Sequence, residues 1–326
     1  MYKIIFLTDK KYYDNKMSRV RFHSVKALFS REDVEGIYTG PNWDNWIDSL
    51  SAKDNINNAL EGTGCDLIIA YKPLDSKINN FKDIPYKKCI RYNEMYDKEW
   101  TLKEIKESGS NVVVCHHYND YLEYKKMGLD NIELKWVPHS AENSIYKPKP
   151  EIEKIYDIGL LGALSCQTIL GEHYPLRIRM ANLLAKMPPK YKCVIFPHVG
   201  YDHSDAHTDK YAHDFADKIN SCKIVITDSG APNSRFGKYI EIPMCGTAIA
   251  GDLYDDHPED VKRLKEFLIE INMSMSDHEI IDKLALHIEN TVERTIKIKK
   301  GLEYCKDFTQ EMYAKKFVKA VLPEKQ

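Results

Sequence analysis

Short, largely apolar runs recur along this chain, most of them separated from the next by enough residues to hold a helix, and the rhythm is played twice. In the first half the runs are 3–8, 34–38, 65–71, 88–92, 111–115 and 134–137. Helical spacing is read between them at 44–60, 97–108 and 119–127, and 11–30 is either a long loop or a helix. Strands with no polar face are buried on both sides, which predicts parallel sheets covered by helices rather than a half-solvated antiparallel sheet. The segment from Tyr146 to Glu153 (YKPKPEIE) then breaks the pattern with two prolines and several charges, as an exposed crossing between domains does.

Beyond that crossing the rhythm restarts. Strands are expected at 155–160, 192–196, 222–227 and 247–250, with helices at 175–187 and 210–219 and a short one carrying Glu241. From Ser276 apolar residues keep helical spacing almost to the end. With 326 residues the chain exceeds what one core usually serves. The expected division is residues 1–145, a linker at 146–153, a second domain at 154–300, and a terminal helix at 301–326 packing back on the first domain. The fold class is α/β, two βαβ domains facing each other across a cleft.

Charge and cysteine content exclude several function classes. The 47 basic and 49 acidic side chains leave a net charge of -2, so no strong field invites nucleic acid or anionic lipid. The start, MYKIIFLTD, reads as a strand and lacks the apolar core of a signal peptide. No run approaches the roughly 20 apolar residues that span a bilayer, which leaves only peripheral membrane contact open. Eight cysteines form no CxxC and sit in or beside apolar strands, as small buried hydrophobes of a reducing compartment do. A cytoplasmic protein, monomer or homodimer, is expected.

Ligands of parallel sheets sit beyond the carboxyl ends of the strands, and that rule selects the candidate residues. The loop TDSGAP, Thr227 to Pro232, leads into SRFGKYIE, where Arg235 and Lys238 precede Glu241 at intervals of three on what is expected to be one helical face. Backbone N–H groups around Gly230 and at the helix start, with the two cations, suit a diphosphate. The Glu241 carboxylate suits the two hydroxyls of a ribose, because it accepts from both at once. Gly159 and Gly162, at the end of the first strand of the second domain, would let the main chain approach a phosphate, and Arg177 opens the following helix. The loop is not a GxGxxG, which argues against a dinucleotide. In the first half, His116 and His117 end a strand, and Asp14 and Arg19 lie near the mouth of another. These four are the candidate catalytic groups, either histidine or Asp14 serving as a base. His198, His203, His207 and His213 are scattered over a polar loop without an HExxH pattern, so no metal site is expected.

The second half resembles the carboxy-terminal domain of GT-B glycosyltransferases, especially the group similar to the spore-maturation protein CgeB. The resemblance is carried by the strand end at Tyr156–Gly159, the YPLR helix start at Tyr174–Arg177, the Arg235/Lys238/Glu241 segment and the small-residue turn and strand Cys245–Ala250. The passage VPHSAENSIYKP, Val137 to Pro148, resembles the interdomain segment of that family. The resemblance implies two Rossmann-like domains, a nucleotide-sugar donor held by the second, a glycan or other hydroxyl acceptor held by the first, and no obligatory cation or other cofactor. Glu241 would then bind ribose, with Arg235 and Lys238 near the pyrophosphate. Many retaining members carry a glutamate where this chain has Asn233. The function expected is transfer of a sugar from a UDP- or GDP-sugar. The rivals are a nucleotide-sugar epimerase or hydrolase on the same fold, and a non-catalytic nucleotide-sugar-binding protein.

Overall fold

The computed structural model describes residues 1–15, 19–71, 73–74, 78–92, 97–164, 167–168, 171–198 and 209–324. They fall into two units, Met1–Pro138 together with the segment from Gln310 onward, and His139 to Thr309.

The first unit is built on a six-stranded sheet of order β2-β1-β3-β4-β5-β6. Its strands are β1 (Tyr2–Leu7), β2 (Val34–Thr39), β3 (Leu67–Ala70), β4 (Lys88–Tyr92), β5 (Val112–Cys115) and β6 (Glu133–Trp136). All pairs are parallel. Every residue of β3 and β5 is buried, as expected of strands whose two faces are both covered. The helices are α1 (Lys10–Asn15), α2 (Arg19–Phe29), α3 (Ala52–Ala59), α4 (Lys98–Ser108) and α5 (Tyr118–Tyr124). Asp97 starts α4 by accepting the Trp100 N–H at 2.9 Å.

The second unit has a five-stranded parallel sheet of order β10-β7-β11-β12-β13. Its strands are β7 (Tyr156–Leu161), β10 (Cys193–Phe196), β11 (Cys222–Ile226), β12 (Ala248–Gly251) and β13 (Ile269–Glu270); a two-residue hairpin, β8 (Gln167–Thr168) and β9 (Gly171–Glu172), stands apart. Its helices are α6 (Pro175–Leu184), α7 (Lys210–Asn220), α8 (Lys238–Met244), α9 (Pro258–Phe267), α10 (Asp277–Glu289) and α11 (Thr291–Cys305).

The helical pattern after Ser276 is three helices. Ser276 opens α10 with a capping box to Glu279, Asn290 ends it and caps α11, and α12 (Gln310–Val321) follows a short turn. The last helix belongs to the first unit, where Tyr313, Phe317 and Val321 join the core of Ile4, Phe6, Leu67 and Val112. The division between units falls at Pro138, not in the proline-rich crossing. Residues 146–149 are docked onto the second unit: Tyr146 is buried, Lys149 pairs with Asp217, and Asn220 bonds both Lys147 O and Lys149 N. Likewise 301–309 stays with the second unit, because the Tyr304 and Phe308 rings pack on each other, Tyr304 OH accepts from Arg235, and the Arg235 guanidinium lies over Phe308.

Candidate functional site

The chain runs from β7 to one side of its sheet, to β10, and then returns to the other side at β11. Such a reversal opens a crevice beyond the carboxyl ends of the two strands, where ligands of doubly wound sheets bind. Gly162 follows the end of β7, and Asp228 lies two residues beyond β11. Gly162 has φ +103°, a conformation that side chains disfavour. A Cβ added there would lie 2.8 Å from Lys238 Cε and 3.1 Å from both Lys238 Nζ and Arg177 Nη1. The two cations therefore meet over a bare stretch of backbone at the switch point.

Their roles differ. Arg177 and Asp228 are each only 1% exposed and are paired, Nε to Oδ1, at 2.7 Å. The same carboxylate accepts the Arg177 backbone N–H at 3.3 Å, and Nη1 donates to Ala163 O at 3.2 Å. The guanidinium also lies 3.8 Å over the Tyr174 ring. Arg177 is thus a strut fastening the 162–163 turn to β11. Burial pushes the Asp228 carboxyl up to about 6, against the pull of Arg177 and with a further push from Asp252. Lys238 is half-buried, at the first turn of α8, with Glu241 one turn behind it. Glu241 Oε1 occupies room left by Gly237, 2.9 Å from where a Cβ would stand. The Glu241 carboxyl is raised by burial and drawn back by Lys238.

The loop between β11 and α8 is held by a residue that the sequence reading passed over. Asp252, just after β12, accepts from Ser229 N at 2.8 Å, Ser229 Oγ at 2.7 Å and Tyr239 OH at 2.8 Å. Its signal was an aspartate one position past an apolar strand, the same rule that selected the loop from Thr227 to Pro232.

Several expectations are corrected. Arg235 does not share a helical face with Lys238, because α8 begins only at Lys238. Its side chain is fully buried, with Nε 3.3 Å from Asp256, Nη1 3.4 Å from Asp260 and 2.9 Å from Tyr304 OH, and the guanidinium 4.5 Å over Phe308. It ties 256–260 and α11 to the core and is not presented to a phosphate. Gly159 lies inside β7, paired on both sides, and a Cβ there would meet Cys222 Sγ at 2.5 Å. It is a packing glycine. Around Gly230 the N–H groups of Ser229, Ala231, Asn233 and Ser234 are taken by Asp252, His173 O, Gly230 O and Ser229 O. That loop supplies a turn, with Gly230 at φ +63°, rather than a ring of amide donors.

In the first unit, His116 and His117 are both buried. His116 Nδ1 is 2.8 Å from Val137 O, and its ring packs on Tyr313. Asp14 is about one-third exposed and paired with Lys10. Arg19 begins α2, with its side chain outside the described residues, as are His203 and His207 altogether. Among the described residues no group of three or more His, Cys, Asp or Glu is placed to hold a metal ion, and no helix is long and apolar enough to cross a membrane.

Similar solved structures include HepE of Anabaena in complex with UDP, 11% identical with a TM-score of 0.66 over 98% of this chain and 99% of that one. Sucrose-phosphate synthase of Thermosynechococcus elongatus matches with a TM-score of 0.63 at 10% identity, over 98% of both chains. The chain has the GT-B fold. A glycosyltransferase of Rickettsia africae shares it, 11% identical with a TM-score of 0.57 over 98% of this chain and 97% of that one. No family model and no curated protein matches this GT-B chain.

Proposed function

We propose that this protein is a glycosyltransferase that moves a sugar from a nucleoside-diphosphate sugar to a hydroxyl acceptor. The observation that carries the reading is the Lys238 ammonium lying over Gly162 at the β7/β11 switch point, with Glu241 one turn behind it. Lys238 meets the diphosphate, Gly162 lets the backbone come close, and Glu241 accepts from the ribose hydroxyls. Arg177 and Asp252 act through others, the first holding the 162–163 turn and the second the 228–230 loop. The likeness in fold to HepE, determined with UDP and with UDP-glucose, supports a uridine nucleotide as the first donor to test.

In the reaction the bond from the anomeric carbon to the β-phosphate oxygen breaks, and its electron pair leaves on the nucleoside diphosphate. A bond forms from the acceptor oxygen to the same carbon, and the acceptor proton passes to a base. Asp14, His116 and His117 are the candidate bases. The Lys238 ammonium at the leaving group takes the place of a bridging metal in this proposal. The narrower likeness to the CgeB group and a cytoplasmic location belong to the same proposal, and the seven described cysteines are free, in keeping with a reducing compartment.

The test is product analysis with a panel of UDP- and GDP-sugars, with and without glycan acceptors. A new glycosidic product that requires acceptor and survives treatment with a chelator is the expected result. Free sugar or an epimer formed without acceptor would place the chain with hydrolases or epimerases instead.

A further inference from the structure

A second concentration of basic groups lies away from the switch point, beside β13 at the edge of the same sheet. There a cavity of about 290 Å³ is lined by one lysine from each of three helices: Lys265 of α9, Lys283 of α10 and Lys297 of α11. Leu268 and Ile269 supply an apolar wall. None of these residues belongs to the Gly162–Lys238 site.

Lys283 Nζ donates to Glu270 O at 2.8 Å and Lys297 Nζ to Leu268 O at 3.2 Å. These bonds cover one carbonyl of the edge strand β13 and one just before it, one known use of edge lysines. An ammonium has three donors, so each retains two others. Two carboxylates share the lining, and each meets an amide: Glu270 accepts from Asn272 Nδ2 at 3.5 Å, and Glu293 from Asn290 Nδ2 at 3.4 Å. Three ammonium groups against two carboxylates leave the lining positive.

The sixth polar group is a histidine. His287 lines the cavity, is only 5% exposed, and its Nδ1 makes no hydrogen bond among the described residues. The nearest carboxylate oxygen, Glu293 Oε1, is 3.7 Å away, beyond hydrogen-bonding distance. A buried ring nitrogen without a partner is costly. Burial also lowers the basicity of His287 and Lys297, opposed by Glu293 and reinforced on Lys297 by Lys300 and Lys283. Arrival of an anion relieves this like-charge crowding and offers His287 an acceptor.

We propose that the cavity between α9, α10 and α11 binds a small phosphate-bearing anion, held by Lys265, Lys283 and Lys297 and hydrogen-bonded to His287. The lysine spread over three helices suits a compact polyoxygen anion approached from several sides. The volume admits a small phosphomonoester rather than a whole nucleotide sugar. This inference does not rest on the proposed transferase activity, because it concerns different residues and a different ligand.

The experiment titrates the full chain with inorganic phosphate and with glucose 6-phosphate by calorimetry, while the His287 imidazole is followed by nitrogen–proton NMR. Saturable binding, movement of the His287 resonances, and a loss of about tenfold or more in affinity in the exposed-site variant Lys265→Glu are expected. UDP affinity is expected to be unchanged in that variant. Tighter binding of glucose 6-phosphate identifies an organic phosphomonoester as the ligand class, and equal binding identifies free phosphate. No saturable binding of either probe, or binding that Lys265→Glu and Lys283→Ala both leave intact, overturns the proposal. Binding that is abolished by Lys238→Ala overturns it too, since the probe then occupies the switch-point site.

Discussion

Arg235 and Lys238 stand three residues apart and look alike in a sequence, yet they do opposite things. Lys238 is half-buried over the backbone of Gly162, whereas Arg235 is sealed among Asp256, Asp260, Tyr304 and Phe308. Removing one partner of a buried ion pair leaves the other charge stranded, so Arg235→Ala should lower stability by roughly 3–5 kcal/mol in urea unfolding. The partners of Arg235 lie 21 to 73 positions further on, and no local signal in the sequence announces them. Asp228 carries a pH prediction. Its folded carboxyl, at about 6, lies above its ordinary value of 3.8, so the folded state holds the proton more tightly. The associated stability is complete below about pH 4 and is lost as the pH rises through 6, a change of about 3 kcal/mol. Unfolding measured across that range in wild type and in Asp228→Asn should show a difference between the two that changes over this window and is flat above it.

At the scale of elements, the strands were the most legible part of the chain. Leu67–Ala70 and Val112–Cys115 are apolar at every position because helices cover both faces, and that composition is visible without coordinates. The start of α8 was not legible. Arg235, Lys238 and Glu241 have helical spacing, but Asn233 takes φ +50° and Ser234 N turns back to Ser229 O, so the helix waits until Lys238. Glycines in and after one strand were equally ambiguous. Gly159 serves packing and Gly162 serves the site, a distinction set by Cys222 on one side and Lys238 on the other. Gly159→Ala should therefore cost about 1–3 kcal/mol of stability by overpacking and leave nucleotide affinity near wild type. Gly162→Ala should weaken UDP binding by displacing Lys238, and it should cost about 1–3 kcal/mol through backbone strain. Parallel calorimetry and unfolding on the two variants separate these effects.

For the whole molecule, the telling feature is that α12 packs in the unit that holds β1. After β13 and α11 complete the second unit, α12 inserts Tyr313, Phe317 and Val321 into the core of the first sheet. The helix was visible in the sequence as apolar spacing, but its breaks depend on the Asn290 cap and on the Tyr304–Phe308 stack. Phe317 is fully buried, so Phe317→Ala should cost roughly 3–5 kcal/mol. Hydrogen exchange should report the loss at Ile4, Phe6 and Leu67, with much smaller change at Ile224 and Ile249 of the second sheet.

Nucleotide binding at the β7/β11 switch point is the central claim, and its direct test is calorimetric titration of UDP and GDP into wild type, Lys238→Ala and Glu241→Ala. Saturable binding of at least one nucleotide to wild type, weakened by roughly 1–3 kcal/mol in each variant, is the predicted result. Absence of binding to wild type, or affinity equal in all three proteins, would contradict it.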